Sequence, residues 1–208
     1  KSREIIEDGR LGRLVHVRFF DRSPALLAVG PEGHTAFGFR EFLKAQERGI
    51  VMEQTIHYLD VARFLLGEPG SVYCTTGRVS EAIRGEDSAN IVLRYDATTV
   101  LIEDSWSAAG PPRSGMEIEG SRGSLSLSHS RLLQFYSIAS GKVEAEWDYS
   151  DKTWAERRGE VFAELFADFL ATLDRNTELT AQARDNLRTL ELTLAAYDSA
   201  AGGRVSTP

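Results

Sequence analysis

Between Ser71 and Tyr149 the apolar pattern has a period of two, carried through SVYCTTGRV, ANIVLRY, TVLIEDSW, MEIEG, SLSL, LLQFYSI and VEAEWDY. Such alternation sends successive side chains to opposite faces of an extended chain and does not fit a helix. The breaks fall at Asp96-Ala97, at Gly120 to Gly123 and at Ser140-Gly141, where the residues suit tight turns. The pattern predicts a run of antiparallel hairpins. In TVLIEDSW, Val100, Ile102 and Trp106 alternate with Leu101 and Glu103, so apolar groups are expected on both faces and each face needs a cover.

The flanks switch period. Lys1 to Gly9 reads as the tail of a helix stopped by Gly9, and Leu14 to Phe20 (LVHVRFF) as a buried strand. Asp21 to Phe39 contains Pro24, Gly30, Pro31, Gly33 and Gly38, which break every periodicity and predict a long loop, a candidate lid over a site. Met52, Ile56, Leu59 and Leu66 recur at helical spacing, and Gly67-Glu68-Pro69 ends that helix. The last sixty residues predict two more helices. One carries the stripe Val161, Phe162, Leu165, Phe166, Phe169, Leu170 and Leu173; the other carries Leu187, Leu190, Leu194, Tyr197 and Ala201. Together these elements predict an α+β fold, a large and mainly antiparallel open sheet with helices packed on one face. At 208 residues a single domain spanning 1–208 can bury its own core, and no repeat, linker or low-complexity tract divides it. A second copy of the chain is the expected cover for the other face, giving a homodimer or homotetramer.

Charge removes two classes of partner. With 31 acidic against 24 basic residues the net charge is −7, the wrong sign for gathering phosphates or anionic lipid, so neither nucleic acid nor membrane is expected. The longest uncharged apolar stretches fall well short of the ~20 residues of a membrane-spanning helix. Cys74 has no second cysteine to pair with and sits in an apolar run, as a thiol packed like a small hydrophobe would; a reducing cytoplasm is the expected location. The chain begins at Lys1 and reads as part of a longer protein.

Three residues could carry chemistry. Glu53, His57 and Asp60 stand at i, i+4 and i+7, on one face of the helix beside its apolar stripe. An imidazole changes charge near neutral pH, and a carboxylate one turn away can orient it, so the pair can pass a proton to or from a substrate hydroxyl. The competing reading makes His57 and Asp60 braces between helix and sheet. A zinc site is not expected, because His16, His34 and His129 lie in unrelated segments. Neither G-x-G-x-x-G nor G-x-x-x-x-G-K-[ST] occurs, so no nucleotide cradle is expected within the chain. Arg18 and Arg22, on the strand leading into the candidate lid, are candidate contacts for a hydroxylated or acidic substrate.

Taken in order, EDGRLGRLVHVRF, GIVMEQTIHYLDVARFLLGEP, EDSANIVLRYDATTVLIEDSW, MEIEGSRGSLSL and FADFLATLDRNTELTAQARDNLRTLELTLAAYDSAAGGRV resemble the C-terminal domain of the Gfo/Idh/MocA family, the oxidoreductases named for glucose-fructose oxidoreductase and inositol dehydrogenase. The resemblance runs from about residue 1 to 205. It implies a substrate-binding and oligomerisation domain, whose N-terminal Rossmann partner binds NAD or NADP in the full-length protein. It implies that His57 assists proton transfer at the reacting hydroxyl or carbonyl and that Glu53, often Asp in the family, binds a sugar or polyol. Asp60 is implied to be structural. The family's Glu-Lys-Pro motif has no counterpart, since the four lysines are Lys1, Lys44, Lys142 and Lys152. The chain alone is therefore expected to bind no cofactor and to be inactive. A stand-alone, non-catalytic dimerisation or ligand-binding module is the alternative, and an upstream G-x-G-x-x-G with Glu-Lys-Pro in the gene would decide between them.

Overall fold

The alternating segments become strands, and a computed structural model, which describes residues 1–27, 41–129, 131–175 and 182–208, joins them into one eight-stranded sheet. In chain order the elements are α1 (Ser2–Glu7), β1 (Leu14–Arg22), α2 (Glu41–Ala45), a π-helical turn (Val51–Thr55), α3 (Ile56–Leu66), β2 (Ser71–Gly77), β3 (Ser88–Arg94), β4 (Thr99–Ser105), β5 (Arg113–Gly120), β6 (Gly123–Ser128), β7 (Leu132–Ser137), β8 (Lys142–Asp148), α4 (Trp154–Arg175) and α5 (Ala183–Gly202). The sheet order is β2-β3-β4-β1-β5-β6-β7-β8. The hairpin run is therefore not continuous: β1 lies between β4 and β5, antiparallel to β5 but parallel to β4, with Val17 opposite Val100 and Asp21 opposite Asp104. A parallel neighbour needs a long crossover, and α3 with β2 and β3 supplies it. The near-continuous apolar run of β1 suits this central place.

Parity decides the two faces. Val17 and Phe19 of β1, Ile91 and Leu93 of β3, Val100 and Ile102 of β4, Ile118 of β5 and Leu125 of β6 are all buried in one cluster with Leu59 and Ala62 of α3 and Leu192, Ala195 and Ala196 of α5. Cys74 belongs to the same cluster, where burial pushes its thiol up to about 12 and leaves it inert as a nucleophile. Trp106 is buried in a second, smaller cluster with Ile50, Val51 and Leu43. It therefore packs inside the protomer, while Leu101 and Glu103 point to the opposite face.

The helices cover the sheet differently from the sequence expectation. The stripe on α4 is not packed on the sheet: its seven apolar residues from Val161 to Leu173 are 43–64% exposed. α5 does cover the sheet, but Leu187 and Leu190 are exposed, and the buried face is Thr189, Leu192, Thr193, Ala195, Ala196 and Ser199. Small side chains let this helix approach β2 closely enough for Ser199 Oγ to accept the Cys74 N–H at 3.0 Å. Beyond α5, Ser206 pairs with Val72 through two backbone hydrogen bonds and covers part of the β2 edge. Arg63 joins α3 to α5, donating to Glu68, to Asp185 and, at 2.6 Å, to Thr189 Oγ1. Among the described residues no helix is long and apolar enough to cross a membrane.

The candidate lid falls mainly outside the described residues. Its first two positions, Asp21 and Arg22, belong to β1, and Ser23 and Leu26 hydrogen-bond back to Ser105 and Trp106.

Candidate active site

The helix bearing Glu53 and His57 starts with a π-helical turn, a geometry frequent at functional sites. Its entry is pinned from outside. Gly49 and Gly85 approach so closely that a Cβ on Gly49 would lie 1.9 Å from the Glu86 carbonyl oxygen and one on Gly85 2.4 Å from the Gly49 nitrogen, so neither position tolerates a side chain. Across this contact Ile50 N–H donates to the Glu86 carbonyl at 2.9 Å and Val51 N–H to the Glu86 carboxylate at 3.1 Å. A carboxylate at the first turn also suits the helix dipole. Tyr197 of α5 donates its hydroxyl to the same carboxylate at 2.7 Å.

Glu53 is half-buried and His57 exposed, and neither makes a side-chain hydrogen bond or ion pair to a described residue. Glu53 lines a hollow of about 450 Å³ with Gln46, Glu47, Arg48 and Met52. Asp60, one turn further on, accepts a hydrogen bond from Thr189 Oγ1 at 2.7 Å and faces Arg63 at 3.8 Å, so it braces α3 against α5. The i, i+4, i+7 face thus divides into a free pair and a bound carboxylate.

On the sheet side of the same turn lies a buried polar cluster that the sequence reading did not find. Asp104 of β4 is 3% exposed. Its Oδ1 accepts from Gln54 Nε2 at 3.3 Å, and the Gln54 carbonyl oxygen accepts from Trp106 Nε1 at 2.7 Å. Asp21 of β1, directly opposite Asp104, accepts the Tyr58 hydroxyl at 3.2 Å. Burial pushes Asp104 up to about 7, and the charge of Asp21 adds to the shift; burial also raises Asp21 itself and the Tyr58 phenol. The available signal was strand parity, which puts Asp104 in line with Val100 and Ile102.

Arg18 and Arg22 are not brought together with Glu53 and His57. They alternate with Val17, Phe19 and Asp21, so they point to the face of the sheet that α3 and α5 leave open. Arg18 is ion-paired with Glu103 and, at 3.4 Å, with Glu117. Arg22 lies 3.8 Å from Glu103 and lines a separate hollow of about 250 Å³ with Arg113 and the 108–111 loop. Among the described residues no group of three or more His, Cys, Asp and Glu side chains could hold a metal ion. The described turn from strand to helix, β8 to α4, contains no glycine.

Comparison with known proteins places the geometry in a family. A family model described as the GFO/IDH/MocA C-terminal domain matches residues 1–126. D-apiose dehydrogenase of Rhizobium rhizogenes is 30% identical over 209 residues, covering 96% of this chain and 58% of that protein. Inositol 2-dehydrogenase of Rhizobium meliloti is 28% identical over 208 residues, covering 97% of this chain and 59% of the relative. Among solved structures, an oxidoreductase from Agrobacterium radiobacter in complex with NAD+, L-tartaric acid and magnesium superposes with a TM-score of 0.83 at 28% identity, over 99% of this chain and 60% of that one. The chain thus spans 58–60% of the length of these proteins.

Proposed function

Because the chain belongs to the Gfo/Idh/MocA family, we propose that it is the substrate-binding and oligomerisation domain of an NAD(P)-dependent oxidoreductase acting on a sugar, a polyol or a related hydroxylated small molecule. The observation that carries the proposal is the free Glu53 and His57 pair on the solvent side of a helix start. It occurs in a chain aligned over 96% and 97% of its length with proteins named D-apiose dehydrogenase and inositol 2-dehydrogenase. NAD or NADP, held by the remainder of the full-length protein, would supply the hydride chemistry.

In this proposal His57 Nε2 or Nδ1 takes the proton of the reacting hydroxyl during oxidation and returns it during reduction. Glu53, whose carboxylate borders the hollow, accepts hydrogen bonds from neighbouring substrate hydroxyls and fixes which one meets the imidazole. Arg18 is committed to its carboxylate partners and Arg22 to a different hollow, so the proposal assigns substrate contact to Glu53 and His57. The open sheet face is assigned to association with a second copy.

The test is His57→Ala in the full-length enzyme, assayed against a panel of aldoses and cyclic polyols. Turnover should fall by about 10² or more, the usual size of a lost acid–base contribution, with the fold intact. Unchanged kcat would remove His57 from the chemistry.

A further inference from the structure

Gln54 and Tyr58 stand four residues apart and face the sheet; Glu53 and His57 stand one position before each of them and face away. Each sheet-facing residue is fastened to a carboxyl group, Gln54 to Asp104 on β4 and Tyr58 to Asp21 on β1. Because Asp21 and Asp104 are opposite each other in the parallel pairing, both anchors lie on one rung of the sheet. Two anchored side chains about one turn apart fix the rotation of a helix about its axis, and with it where the residues preceding each anchor point. The Trp106 indole holds the carbonyl end of the Gln54 amide, which leaves the amino end directed at Asp104.

This arrangement is a costly way to hold a helix. Asp104 occupies an inward position between Ala89 of β3 and Asp21 of β1, and its Oδ2 is buried with no hydrogen-bond partner. An apolar residue would pack there without that desolvation cost. We propose that Asp104 and Asp21, acting through Gln54 and Tyr58, are positioning residues that set the rotation of the helix start and so aim Glu53 and His57 at the substrate. The proposal rests on the role given to that pair above.

The groups facing Asp104 are Gln54 and Thr55 from the π-helical turn, Tyr58 from α3, Asp21 from β1 and the uncharged Ala89 from β3. No cation pairs with it among the described residues. With its proton held up to about pH 7, the strength of the Gln54 anchor depends on pH in the neutral range.

The test uses NMR on the 208-residue chain and kinetics on the full-length enzyme. In a His57→Gln background, which removes the imidazole's own titration, the indole N–H signal of Trp106 should shift with a midpoint near pH 7, and Asp104→Asn should abolish the step. Amide exchange at residues 53–58 should quicken about tenfold or more in Gln54→Leu and in Tyr58→Phe, leave α5 unchanged, and stay slow in Asp104→Asn, which keeps an acceptor for Gln54. In the enzyme Gln54→Leu should lower kcat about tenfold with KM within about twofold, because aim and not binding is lost. A Trp106 signal flat across pH, exchange unchanged in both Gln54→Leu and Tyr58→Phe, or an unchanged kcat in Gln54→Leu would each overturn the proposal. If His57→Ala alone leaves kcat intact, the acid–base role fails, and the exchange data still judge the clamp.

Discussion

At the scale of single residues, Asp104 is the one whose environment most opposes its chemistry. In the unfolded chain its carboxyl loses its proton near 3.8, whereas burial holds that proton up to about pH 7 in the folded state. Below pH 3.8 both states are protonated and Asp104 costs nothing; between 3.8 and 7 only the unfolded state ionises, so stability falls as pH rises; above 7 the full cost is present. A shift of this size corresponds to about 4 kcal/mol at most. Asp104→Asn keeps the shape and cannot ionise, so its stability advantage over the wild type should grow by roughly 2–4 kcal/mol between pH 4 and pH 8. Urea unfolding at both pH values checks this, and equal advantages would show that Asp104 ionises normally in the fold. The outer half of the site was legible in the sequence, since helical spacing alone set Glu53 and His57 together. The inner half was not. Parity marks Asp104 as inward-facing, but its place beside Asp21 depends on a pairing between strands about eighty residues apart, and no local pattern encodes that register. For the same reason, alternation could put Arg18 and Arg22 on one face of β1 without saying which face the helices would cover.

Among the elements, every strand from β2 to β8 was legible as a period-two segment, while the insertion of β1 between β4 and β5 was not, because hairpin signals report only neighbours in sequence. The two C-terminal helices show the limit of amphipathic patterns. The stripe of α4 is the stronger by eye and stays exposed, whereas α5 packs through small and polar residues because its axis lies close to β2. An apolar stripe says that a helix needs a partner and not which surface provides it. Stability of the 208-residue chain should follow packing and ignore the stripe. Phe166→Ser with Leu170→Ser, at 64% and 59% exposure, should move Tm by no more than about 2 °C. Leu192→Ala, fully buried, should cost about 2–4 kcal/mol and lower Tm by roughly 5–12 °C. Circular dichroism melts decide it, and a large loss from the α4 pair would mean that α4 docks on the domain after all.

For the whole molecule, the open sheet face is what an isolated protomer leaves unused. Val100, Ile102 and Trp106 all lie inside the protomer, and the parity of β4 puts Leu101 on the open face. Its centre is the Arg18, Glu103 and Glu117 cluster, with Leu101 beside Arg18 and the half-exposed Tyr73 and Tyr136 towards the sides. Aromatic rings around a centre of ion-paired arginine and glutamate are suited to a polar interface, and two such faces related by a two-fold axis present the same patch to each other. Face-to-face association should bury on the order of 2,000 Å² in total. Light scattering at tens of micromolar should then give about twice the 23.0 kDa of the chain. Arg18→Glu sets three carboxylates together at the centre of that face, so it should return the mass to one protomer while leaving the circular dichroism spectrum unchanged. A wild-type mass of 23.0 kDa would sink the dimer. A dimer that survives Arg18→Glu and is lost with Phe166→Ser and Leu170→Ser would move the contact from the sheet to α4.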